Sequence, residues 1–289
     1  MTHADPANFA LTHNPIVSCA ELAELIEKKS VVILDCRFSL SDTELGTQQY
    51  RQGHIPGAHY LHLDRDLSGP KGIHGGRHPL PNPAQLAAKL GELGIDGNTR
   101  VVAYDDSRFS YAARTWWLLR YLGHESVAVL DGGFQAWRDA GLAEEQFTAK
   151  PPRTEFTPRV KDDWIIDSAD IRKSIAAATP TCRLIDSRDP KRYQCLEEPI
   201  DPVAGHIPGA LNFLYLEASD ERGFFKSAEA QKARWQTLTG QPLAAYCGSG
   251  VTACVNLLSL AVAGIPAKLY PGSWSDWCSY DDTPKHPAA

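Results

Sequence analysis

The sequence contains no CxxC pair, no dense basic face and no apolar run near the roughly 18 to 20 residues that a membrane helix needs. These absences exclude a zinc ribbon, a nucleic-acid platform and a bilayer span. A net charge of −6 argues in the same direction, because phosphate backbones are gripped by clustered Lys and Arg. The opening stretch MTHADPANFALTHNP lacks both a basic region and an apolar core, so no secretory signal is expected and the cytoplasm is the expected compartment. Seven scattered cysteines, an odd number, fit reduced and mostly buried thiols better than a disulfide framework. What is present is ordinary globular material: 289 residues, 43% apolar and 22% charged, enough for two domains.

The chain repeats itself. VVILDCRF (31–38) is followed by GHIPGA (53–58), and CRLIDSRD (182–189) by a second GHIPGA (205–210). Both apolar runs end in Asp-x-Arg, as Asp35/Arg37 and Asp186/Arg188. RVVAYDDSRFSYAARTWWLLRYLG (100–123) matches PLAAYCGSGVTACVNLLSLAVAG (242–264), and each leads to a glycine turn and a tryptophan. Short apolar runs at 31–35, 101–104, 127–130, 183–186, 243–246 and 267–270 predict buried parallel strands. Helical spacing predicts helices over 83–94, 110–123 and 252–264, each stopped by glycine. The alternation implies an α/β fold, two mostly parallel sheets with helices on both faces. Polar, aperiodic 144–163, with three prolines, predicts a linker, so the expected division is 1–145, linker 146–163 and 164–289.

Cys247 stands out among the thiols. Strand 243–246 runs directly into Cys247-Gly248-Ser249-Gly250-Val251-Thr252, and a helix follows. Glycines let the turn curl, so that successive amides form an anion nest at a helix N-terminus. A sulfur there is favoured as thiolate, and the amides can hold a persulfide or an anionic leaving group. The matching residue of the first half is Asp105, which cannot carry sulfur. Catalysis is therefore expected in the second half alone. A cysteine-phosphatase loop would need an arginine where Ala253 stands.

Together these motifs resemble the two-domain rhodanese-like sulfurtransferases, over nearly the full length. The loop is similar to that of 3-mercaptopyruvate sulfurtransferases, because Gly248 and Ser249 stand where thiosulfate-preferring rhodaneses carry basic residues. The resemblance implies a ping-pong reaction. A donor gives sulfur to Cys247, and the persulfide passes it to cyanide, a small thiol or thioredoxin. No metal or organic cofactor is implied. Arg192 matches the family's donor-binding arginine, with Arg188 nearby; a second arginine expected after Glu198-Pro199 is replaced by Ile200. A Ser-His-Asp arrangement implied by the resemblance falls on Ser249, His78 and Asp64, with His74 competing for the histidine role. Asp35 and Asp186 are expected to hold turn amides, and Cys254 to be a packed thiol. The readings carried forward are mercaptopyruvate transfer, thiosulfate transfer, and a non-catalytic binding module, the last disfavoured by the retained thiol nest.

Overall fold

The computed structural model describes residues 9–285. Residues 1–8, which open the stretch read for a leader, and 286–289 lie outside the described residues. The first half runs β1 (Ile16–Val17), α1 (Cys19–Glu27), β2 (Val32–Asp35), α2 (Leu45–Gln52), β3 (Ala58–Tyr60), α3 (Pro83–Glu92), β4 (Val101–Tyr104), α4 (Ala112–Tyr121), β5 (Val127–Leu130) and α5 (Gly133–Asp139). The second half runs α6 (Ser168–Ala176), β6 (Arg183–Asp186), α7 (Pro190–Tyr193), β7 (Leu211–Asn212), α8 (Ala228–Trp235), β8 (Leu243–Tyr246), α9 (Ala253–Val262), β9 (Ala267–Leu269) and α10 (Ser273–Trp277).

Each half builds a wholly parallel sheet, ordered β1-β5-β4-β2-β3 and β7-β6-β8-β9. The second matches the first strand for strand once Ile165, which bridges in parallel to Leu269, is set against β1. All six expected strands form, with ends shifted by a residue at most. β1, β3 and β7 went unpredicted because two or three residues carry no readable periodicity.

One apolar cluster runs through both halves, with α4 packed on α9 at its centre, and a smaller cluster covers the outer face of each sheet. Every residue of α4 is buried, including two arginines, Arg114 and Arg120. A helix apolar all round belongs inside a structure, and here it lies between the two sheets. The segment predicted as linker is extended but tied down: Thr154, Arg159 and Lys161 donate backbone bonds to Gly91, Leu122 and Tyr121 at the ends of α3 and α4.

The GHIPGA motifs form matching joints. His54 Nδ1 lies 2.7 Å from the Tyr50 carbonyl, and His206 Nδ1 lies 2.8 Å from that of Tyr193. The two tyrosine hydroxyls donate to the carbonyls of Ala58 and Ala210. Both histidines therefore set backbone direction. Asp35 and Asp186 accept the amides of Arg37 and Arg188 and also pair with those guanidinium groups.

Candidate active site

Cys247 caps β8 at the boundary between the halves and is 2% exposed. Its backbone is clamped from α10: the Cys247 amide donates to Ser273 Oγ at 3.1 Å, and the Trp274 amide donates to the Cys247 carbonyl at 3.0 Å. Ser273 holds a left-handed φ of 56°, a strained state that this clamp sustains. Gly250 has φ of 75°, and a Cβ there would meet the Pro271 carbonyl oxygen at 2.3 Å, so the turn requires glycine.

The duplicate site shows what such a turn binds. Asp105 is buried, and its carboxylate accepts the amides of Ser107, Phe109, Tyr111 and Ala112. In the first half, then, the strand–turn–helix corner closes four N–H groups around an anion of its own. In the second half a sulfur stands at the equivalent place. The amides of Gly248, Ser249, Gly250, Val251 and Thr252 have no protein acceptor among the described residues. The carbonyls of Val251 and Thr252 open α9 by accepting from Cys254 and Val255.

Ser249, His78 and Asp64 come together from both halves. Ser249 Oγ lies 2.7 Å from His78 Nδ1, and His78 Nε2 lies 3.3 Å from Asp64 Oδ1. In the tautomer that carries its proton on Nε2, His78 Nδ1 accepts the serine proton. Burial, with Arg114, Arg77 and Lys71 adding repulsion, lowers the His78 pKa to about 3, so the imidazole is neutral. His74 is elsewhere: it stacks on Tyr280 at 4.0 Å and meets Ser279 Oγ at 2.7 Å. The neutral His78 has a consequence for stability. Between about 6.5 and about 3 the unfolded chain takes up a proton that the folded chain refuses, so stability falls as pH drops through that window. Denaturation midpoints of His78→Gln should fall less on acidification from about pH 7 to about pH 4 than those of the wild type. Parallel slopes would contradict the assignment.

Arg188, expected beside the donor-binding Arg192, is held among protein acceptors. It is 2% exposed, and its guanidinium donates to Asp186, Glu198 and the Gly205 carbonyl while lying 4.9 Å over Trp274. Burial opposes its charge, but Asp186 outweighs burial and raises its pKa. Arg37 repeats the arrangement with Asp35 and the Gly53 carbonyl in the first half, which has no nucleophile. Arg192 is placed differently. Its Nε and Nη2 are held by Glu198 and Asp201, and its Nη1 faces Gly248, 3.4 Å from where a Cβ would stand.

Three contributors were not read from the sequence. Arg114 of α4 is 0% exposed and donates to the carbonyls of Gly250 at 3.0 Å and His78 at 3.3 Å. No carboxylate pairs with it among the described residues. An arginine inside an otherwise apolar helix was the available signal. Arg77 and Asp201 are the others. They form an ion pair between the halves, and Asp201 also takes Arg192 Nη2 at 2.9 Å. Trp274 and Trp277 are fully buried in the core, and the Cys254 thiol, also buried, donates to the Gly250 carbonyl.

A twice-occurring α/β unit with one nucleophilic cysteine defines a sulfur-transferring class, and comparison with known proteins agrees. The rhodanese-like domain model matches residues 18–140 and again 168–280. The chain belongs to the rhodanese-like family and is an enzyme, a two-domain sulfurtransferase. A probable 3-mercaptopyruvate sulfurtransferase of Pseudomonas aeruginosa is 42% identical over 95% of this chain and 97% of its own length. A putative thiosulfate sulfurtransferase, SseB, of Mycobacterium tuberculosis is 38% identical over 91% and 94% respectively. The crystal structure of SseA from Escherichia coli, described as a 3-mercaptopyruvate sulfotransferase, superposes with a TM-score of 0.79 at 32% identity, covering 91% of this chain and all of SseA. No helix among the described residues is long and apolar enough to cross a membrane.

Proposed function

We propose that the enzyme takes sulfur from 3-mercaptopyruvate, with thiosulfate as a slower donor, and carries it as a Cys247 persulfide. The Cys247 thiolate attacks the donor sulfur and the carbon–sulfur bond breaks. Its electron pair passes to the enolate of pyruvate, which then takes a proton at carbon. The acceptor, cyanide, a small thiol or thioredoxin, attacks the outer sulfur of the persulfide, and the sulfur–sulfur bond breaks with its electron pair returning to Cys247 as thiolate. The observation that carries this reading is the Ser249–His78–Asp64 chain, which sets a polarised hydroxyl two residues from the nucleophile. An enolate needs such a proton handler, whereas the sulfite leaving from thiosulfate does not. Turn amides stabilise the anions of both half-reactions. Seven cysteines without a disulfide suit a reducing, cytoplasmic setting.

A thiosulfate-first reading is favoured by one residue, Ile200, which stands where the resemblance expects a second donor-binding arginine. Steady-state kinetics with both donors separates the two. Losing a charge-assisted hydrogen bond costs about 1.5 to 3 kcal/mol, so Arg192→Ala should raise KM for 3-mercaptopyruvate roughly ten- to a hundredfold. The KM for thiosulfate should move much less. Equal shifts would remove Arg192 from carboxylate recognition.

A further inference from the structure

The segment 74–78 of the first half is clasped onto α10 of the second. The Gly75 amide donates to Asp276 Oδ1 at 2.7 Å, and the Arg77 amide donates to Ser275 Oγ at 3.0 Å. Gly76, at φ of 84°, lies so close that a Cβ would stand 2.4 Å from the Gly272 carbonyl oxygen. A backbone held this tightly fixes where the next side chains go. His78 goes to Ser249, and Arg77 goes to Gly248.

A Cβ added at Gly248 would meet Arg77 Nη2 at 2.8 Å and Arg192 Nη1 at 3.4 Å. Two guanidinium groups thus converge on the residue next to the nucleophile, one from each half of the chain. Asp201 sets their spacing, with one carboxylate oxygen on Arg77 Nη1 and the other on Arg192 Nη2. Arg77 Nη2 and Arg192 Nη1 have no protein acceptor among the described residues, and both crowd the place that a side chain at 248 would take. Paired, preoriented N–H donors of this kind match the fork geometry of a carboxylate.

We propose that Arg77 is the second donor-binding arginine of this enzyme, so that the donor's carboxylate is held between Arg77 of the N-terminal half and Arg192 of the C-terminal half. The inference rests on the mercaptopyruvate reading and deepens it. It explains how a chain with Ile200 after Glu198-Pro199 still presents two guanidinium groups to a carboxylate. It also makes donor binding a property of the docked pair of domains.

The test measures kcat and KM with 3-mercaptopyruvate and with thiosulfate for Arg77→Met, Arg77→Lys, Arg192→Ala and the double variant R77M/D201N. Arg77→Met should raise the mercaptopyruvate KM about tenfold, with kcat within about twofold and a much smaller effect on thiosulfate. Arg77→Lys, which keeps the charge but not the fork, should recover part of the loss. R77M/D201N removes the buried carboxylate that Arg77 neutralises, and its KM should stay high. Return of that KM to the wild-type value would show that Arg77 serves only Asp201, and would overturn the proposal. An unchanged KM in Arg77→Met beside a raised one in Arg192→Ala would overturn it alone. If neither variant moves the mercaptopyruvate KM, the donor reading falls as well.

Discussion

Cys247→Ser is expected to lower sulfur transfer by on the order of a thousandfold or more with either donor, and to abolish the one-sulfur mass increase on donor exposure. A serine oxygen can occupy the same corner, but it cannot form the sulfur–sulfur bond that stores the transferred atom. The four other buried thiols are not equipped to take over. Burial pushes the pKa of Cys254 to about 12, with Arg114 only partly opposing it, and pushes Cys182 and Cys278 to about 11. Cys36 is driven well above its usual range by complete burial. Each of these stays a thiol near neutral pH, and a thiol is a poor nucleophile. Cys254 is the informative control, since it lies in the first turn of α9 and donates to the Gly250 carbonyl. Peptide mapping that found the added sulfur on Cys254, or serine variants that kept turning over, would refute the assignment.

How far the sequence foretold this site depends on where each residue's partners lie. Cys247 and its glycines were legible because a strand, a turn and a helix are local, and because Asp105 in the duplicate marks the same corner. The structure then shows Asp105 collecting four turn amides, which no spacing argument had specified. The serine, histidine and aspartate were named through resemblance, but choosing between His78 and His74 needed the clasp at Gly75, held by Asp276 of α10, and at Gly76, packed on the Gly272 carbonyl just before α10. Arg188 was grouped with the donor-binding residues because it lies near Arg192 in sequence. The equivalent Arg37–Asp35 pair in a half without chemistry reveals it as a scaffold pair. Arg77 and Arg114 were missed for one physical reason. Their partners, Asp201 and the Gly250 carbonyl, lie on the other domain, and only the docking of the two halves, through the clasp on α10 and the packing of α4 on α9, brings them into contact.

Arg114→Met is expected to cut kcat/KM by on the order of a hundredfold with both donors alike, unlike Arg77→Met, which should discriminate between them. Arg114 is a fully buried cation without a carboxylate, an arrangement that costs several kcal/mol of desolvation. Burial lowers its pKa, and the attraction of Cys254 and Cys247 opposes that fall. Two effects then compete in the variant. Removing the charge recovers the desolvation cost, while the His78 carbonyl loses its Arg114 donor and the Gly250 carbonyl keeps only the weak Cys254 thiol, at about 1 to 3 kcal/mol each. These nearly cancel, so the thermal midpoint should shift by only a few degrees. The chemistry has no such compensation. The guanidinium ties the turn that carries Cys247 to the segment that carries His78, and its charge acts on Cys247. Arg114→Lys should rescue little, because an ammonium cannot span two carbonyls with a planar fork. A variant that unfolded outright, or one that kept wild-type kcat/KM with both donors, would show that the arginine serves packing alone.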